Sequence, residues 1–185
     1  MAHMLRRDCL RFGLIAPAAV LLGAPVARAS QFLPVSLPEL VRTSERIWVG
    51  VPLEKHAEWI DSPVGRLIVT YTRVARDSDV LDSGGSAELW VRTLGGSIGK
   101  IGQLVPGEAR LALGERCLVF LSRASDHHRV NAMAQGHYAV RANRGVPRLQ
   151  ASEEALPARS RRDSAVSLLT GQELERGVER IRSAR

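Results

Sequence analysis

No stretch of this chain narrows its fold more than residues 65–81, GRLIVTYTRVARDSDVL. It is dense in Ile, Val, Thr and Tyr, which suit a pleated surface, and Leu67, Val69 and Tyr71 fall on alternate positions, the period of a strand. The turn LDSGGS follows, and SAELWVRTL, residues 86–94, returns with Leu89 and Val91 on one side, so the two runs form a hairpin. A chain built round so long a strand is expected to be mainly β.

The rest of the sequence extends that expectation. ERIWVGVPLE, residues 45–54, reads as a strand with Ile47, Val49 and Val51 on one face and Trp48 on the other, and Pro52 ends or bulges its pairing. RCLVFLS, residues 116–122, is continuously apolar and is expected at the centre of the core with both faces covered. RVNAMAQGHYAVR, residues 129–141, reads as a strand or bulged pair of strands broken near Gly136. Between them GGSIGKIGQLVPGEARLALGE is a glycine-punctuated loop with one short strand near residues 100–105.

Helices are expected at the two ends. Ser36 caps a short helix in LPELVRTSE, with Pro38 in its first turn and Glu39 against the positive helix end. Thr170 and Glu173 form a capping-box pattern, and Leu174, Val178 and Ile181 recur at helical spacing, so residues 170–184 are expected to be an amphipathic helix docked on the β domain. Residues 30–141 then form a small five-stranded OB-like barrel, with a two-sheet β-sandwich as the alternative, and the polar stretch 142–169 is a connection.

Residues 4–30, MLRRDCLRFGLIAPAAVLLGAPVARAS, have a basic start, an apolar stretch, and small residues at Ala27 and Ala29 before Ser30. The pair Arg6 and Arg7 resembles a twin-arginine export signal, with Cys9 where Phe is usual. Residues 1–29 are therefore expected to be a cleaved signal peptide. The apolar stretch 12–26 is interrupted by Gly13, Pro17, Gly23 and Pro25 and is short for a bilayer span, so no stable membrane anchor is expected after cleavage. The implied destination is periplasmic or secreted.

Of the net charge of +7, four arginines and one aspartate precede Ser30, leaving +4 for the remainder, a solvated arginine-rich surface. Cys117 is the one cysteine after the leader, so no internal disulfide can close, and its apolar setting reads as a buried small hydrophobe.

Several motifs look like chemistry. Gly95, Ser97 and Gly99 match G-x-S-x-G, but no helix begins after Ser97 to build a nucleophile elbow, so the segment reads as a glycine-rich loop crossing the barrel. Asp82, Ser83, Gly84 and Gly85 look like the surroundings of a chymotrypsin-type nucleophile, yet they suit a hairpin turn directly, and that architecture needs two barrels. His127, His128 and His137, with Asp126, are the cluster with metal-ligand side chains. Adjacent histidines in extended chain point to opposite faces, which opposes His127 and His128 binding one ion. No phosphate-cradling loop, C-x-x-C, H-E-x-x-H or dinucleotide fingerprint occurs, so no catalytic residue and no cofactor is expected. Aromatic platforms on OB-like barrels often bind single strands, but export removes that ligand, so no nucleic-acid partner is expected.

From Glu45 to Val140 the succession IWVGVPL, IVTYTRVARDSDVL, LWVRTLGGSIG, LALGERCLVFL and AMAQGHYAV resembles a group of exported bacterial β proteins of uncharacterised function. The strand order is also similar to netrin-like and metalloprotease-inhibitor barrels of OB type. The resemblance implies a scaffold without a catalytic assignment. Those inhibitors use a disulfide-tethered N-terminal Cys, which a chain beginning near Ser30 lacks. The function expected is a non-enzymatic binding or accessory domain for a protein or envelope component. A secreted hydrolase, a metal-dependent enzyme or a protease-inhibitor-like module is the alternative.

Overall fold

The computed structural model describes residues 33–63, 65–81 and 86–185. The expected signal peptide, with Arg6, Arg7, Ala27 and Ala29, lies outside the described residues, as does the 82–85 turn.

Helix α1 (Leu37–Thr43) starts where Ser36 Oγ accepts the Glu39 N–H, with Pro38 in the first turn, where a missing N–H costs nothing. Strands β1 (Arg46–Ser62) and β2 (Gly65–Leu81) pair antiparallel along almost their whole length. β1 runs on past the expected stop near Glu54 because the sheet absorbs Pro52 as an irregularity, with a register shift between Pro52 and Glu54. β3 (Glu88–Leu94) returns along β2, and β4 (Gly96–Ile98) and β5 (Ile101–Gln103) fold the glycine-rich loop into a small hairpin of its own.

Five strands then pair in a cycle. β6 (Cys117–Ala124) is antiparallel to β1, and β7 (His127–Val130) is antiparallel to β6 and parallel to β3, so β1-β2-β3-β7-β6 returns to β1. A 3-10 turn (Met133–Gly136) interrupts the chain at the expected break, and β8 (His137–Asn143) resumes pairing on the same edge of β6. β9 (Val146–Ala151) pairs with β8. The protein is mainly β with a few helices, the class its strand patterns predict.

The core has two parts, and β6 belongs to both. Cys117, Val119 and Leu121 join Trp48, Val74, Leu89 and Val91 inside the cycle. Leu118 and Phe120 join Ile47, Val49, Tyr138 and the helices outside it. An uninterrupted apolar run is what a strand covered on both faces requires, and each large side chain so buried contributes roughly 1.5–3 kcal/mol.

The stretch 142–169 is not a connection. It holds the end of β8, then β9, a 3-10 segment (Glu153–Ser160) and α2 (Ala165–Leu169). Arg144 and Gly145 both have positive φ, the backbone a two-residue hairpin turn needs, but Arg-Gly is a weaker sequence signal than Asn-Gly. Pro147 is tolerated because β9 pairs with a strand on one edge only. The capping-box expectation is corrected as well. Thr170 is the C-cap of α2, and Glu173 is the N-cap of α3 (Leu174–Ser183) without a side-chain capping bond. The amphipathic face is as expected: Leu174 and Ile181 are buried in the outer cluster, and Gly177 allows α3 so close that an added Cβ would lie 2.4 Å from Leu149 Cδ1.

Candidate functional site

Along β2, Ile68, Thr70, Thr72 and Val74 alternate onto one face. Val74 lies in the inner cluster, whereas Thr70 and Thr72 line a cavity of about 530 Å³ closed on its far side by the 95–111 loop. Thr93, the cross-strand partner of Thr70, and Lys55, the partner of Thr72, complete the strand wall. Gly95, Gly96, Ser97, Gly102 and Gln103 form the rim.

The rim is held by side-chain bonds to the sheet. Thr70 Oγ1 donates to the Gly95 carbonyl at 2.7 Å, and the Gln103 Oε1 accepts the Ile68 N–H at 2.6 Å. Gly96 has φ +137° and packs so closely that a Cβ would lie 2.2 Å from Thr70 Oγ1, so glycine is required there. Gly102 differs: the nearest atom to an added Cβ is Ser97 Oγ at 3.8 Å.

Glu108 sits at the base, only 9% exposed, accepting the Ala109 N–H at 3.1 Å and bonded to the Leu94 backbone. Burial pushes its carboxyl above the usual range, against those backbone bonds and the nearby positive charges of Arg129 and Arg92. The cavity thus offers hydroxyls, an amide, an ammonium group and a carboxyl, the mixture that orients a polar ligand. Of these residues, sequence reasoning singled out Gly95 and Ser97, for a different chemistry. The threonines carry no sequence signal of a cavity, since threonine favours the pleat whichever way its hydroxyl faces.

The candidates from sequence are not drawn together. Ser97 lies on β4, facing Gly102 across a hairpin, and no helix follows it. His127, His128 and His137 do not form a metal site: among the described residues no group of three His, Cys, Asp or Glu could hold an ion. His127 Nδ1 contacts Asp126 Oδ1 at 2.7 Å, an interaction that holds the Asp126 carboxyl below its usual range, and its ring meets Tyr71 edge-on. His128 pairs across to Arg123 on β6, where burial lowers its pKa. His137 starts β8, and burial pushes its pKa down to about 4. Cys117 is buried in the inner cluster, with its thiol pushed up to about 12 by desolvation, so it is inert packing.

The Gln-Gly pair of the sequence resemblance has a structural role. The Gln135 side chain accepts the Val35 N–H at 2.9 Å and donates to the Leu33 carbonyl at 3.1 Å, clasping the segment before α1 as a neighbouring strand would. Asn131 Nδ2 reaches the end of α1 through Thr43 Oγ1 and Ser44 Oγ. A Cβ at Gly136 would lie 2.1 Å from the Asn131 carbonyl oxygen, so the pair is kept by packing.

No family model, curated protein or solved structure matches this chain. Among the described residues, no helix is long and apolar enough to cross a membrane.

Proposed function

We propose that this chain is an exported, non-enzymatic binding domain that takes a polar part of a protein or envelope component into the cavity between β2, β3 and the 95–111 loop. The observation that carries the reading is the change of character along one strand face, from Val74 in the core to Thr72 and Thr70 on the wall of a cavity. Thr70 and Thr93 bond backbone carbonyls, but the Thr72 hydroxyl bonds no other described residue, which costs stability relative to apolar filling, and a ligand that bonds it offsets that cost. Pairing of β1-β2-β3-β7-β6 in a cycle is also the strand order of OB-type barrels, whose strands 2 and 3 and adjoining loops carry ligands, which supports an OB-like reading of this scaffold.

The leader supports delivery to the periplasm or beyond. Gly102→Leu tests the cavity, because it adds bulk at the rim while its Cβ stays at ordinary contact distance, 3.8 Å from Ser97 Oγ and 3.9 Å from the Gly96 carbonyl oxygen. Full-length protein incubated with fractionated envelope extract is expected to retain a component that Gly102→Leu fails to retain at equal folded concentration. Equal retention by both would overturn the reading.

A further inference from the structure

A second, smaller cavity lies on the other side of Leu94 and Glu108, where β3, β7 and the turn after β7 meet. Arg92 and Arg129 line it, and they are cross-strand partners in the parallel β3–β7 pair. Adjacent strands are about 4.8 Å apart, so the two guanidinium groups leave neighbouring backbones on one face. Like charges opposed in this way repel.

The rest of the sheet handles arginine differently. The other arginines on its strands each meet a carboxylate, from Arg46 with Glu45 on β1, through Arg73 with Glu54 and Glu88 on β2, to Arg148 with Glu173 on β9. Among the described residues Arg92 and Arg129 have no carboxylate within ion-pair distance. The Glu108 carboxyl also lines the cavity, but it is largely buried, bonded to the Ala109 and Leu94 backbone, and beyond ion-pair distance of either guanidinium. Ser122, the partner of Arg129 on β6, continues the row and also lines the cavity.

We infer that this cavity, about 280 Å³ in volume, is a phosphate-binding site in which Arg92 and Arg129 clamp the group from two adjacent strands and the Ser122 hydroxyl adds a third contact. Two planar guanidinium forks side by side present more donors than one carboxylate can accept, and a dianion neutralises both charges where a carboxylate neutralises one. The volume exceeds that of phosphate alone, which leaves room for the start of an ester. Free phosphate, a soluble phosphomonoester and the phosphomonoester headgroup of phosphatidic acid share this chemistry. The inference goes beyond the larger cavity and does not depend on it.

The test is titration of the full-length protein with inorganic phosphate, followed by the arginine Nε–H resonances and by the melting temperature. Saturable shifts at Arg92 and Arg129 and a rise in melting temperature are expected, with Arg92→Gln and Arg129→Gln each weakening binding by at least about tenfold. Arg129 is exposed, so its substitution leaves the fold intact and keeps the test interpretable even if Arg92→Gln unfolds. Gly102→Leu is expected to bind phosphate as the wild type does, which separates this site from the larger cavity. Tighter saturation by glycerol 3-phosphate would assign the site to a soluble ester. Sedimentation with phosphatidic acid vesicles that Arg129→Gln abolishes would assign it to a headgroup. Absence of saturable shifts at these two arginines, or wild-type titration of the Arg129→Gln protein, would overturn the inference.

Discussion

The two ends of strand β2's inward face obey different rules. At Val74 the neighbours are Trp48, Leu89, Val91 and Val119, all apolar and sealed. One turn of the pleat away, Thr72 is just as buried, yet its neighbours across the strands include Lys55, and it lines the cavity. Fold stability needs the first arrangement. Folding alone does not require the second, and on the function proposed above such a wall is kept for a ligand.

The comparison is broken most forcefully at the sealed end. Trp48→Ala removes the largest side chain of the inner cluster, fully buried on β1 opposite Val119 of β6. A loss of about 3–5 kcal/mol is expected, read as a shift in the urea midpoint at constant slope. An effect below about 1 kcal/mol would mean that the inner cluster is not where stability resides.

The next effect comes through acid. His137 is 5% exposed with its Nδ1 buried and unpartnered, and burial holds its pKa at about 4 against an ordinary value near 6.5. Above pH 6.5 the ring is neutral in both folded and unfolded chains, and its full contribution is present. As pH falls from 6.5 toward 4 the unfolded chain takes up a proton that the folded one refuses, so stability falls by up to about 3 kcal/mol. His128 titrates in the same sense, since burial also lowers its pKa. Urea titrations at pH 7 and pH 4.5 are expected to show this loss, and His137→Leu to show a smaller one. An identical acid loss in the variant would remove His137 as the cause.

How much of this could be read in advance follows the same division. RCLVFLS announces a doubly covered strand because its five central side chains, Cys117 to Leu121, are all apolar, and β2 is legible end to end because Ile, Val and Thr favour the pleat whichever way they face. The hairpin of β8 and β9 was hidden by Pro147 and by a turn of Arg-Gly, whose φ values only the folded backbone reveals. The cavity was hidden for a further reason. A threonine on a strand carries the same propensity signal whether its hydroxyl faces a ligand or a neighbouring carbonyl, so Thr70, Thr72 and Thr93 read as β formers alone. Glu108 sits in a loop between proline, glycine and alanine, and only its burial distinguishes it from a solvated acid.

The smallest expected effect on stability sharpens the contrast most. Thr72→Val keeps the shape of a side chain that makes no hydrogen bond to another described residue, and exchanges one hydroxyl for a methyl group. At a position that exists for folding, burying that methyl among apolar neighbours should be neutral or stabilising, within about 1 kcal/mol. At a position that exists for a ligand, the same substitution also removes a contact. Unchanged or raised melting temperature together with reduced retention of the envelope component is therefore the expected outcome. If Thr72→Val melts no lower and binds as well as the wild type, the threonine wall is only packing, and the ligand contact must be sought elsewhere on the molecule.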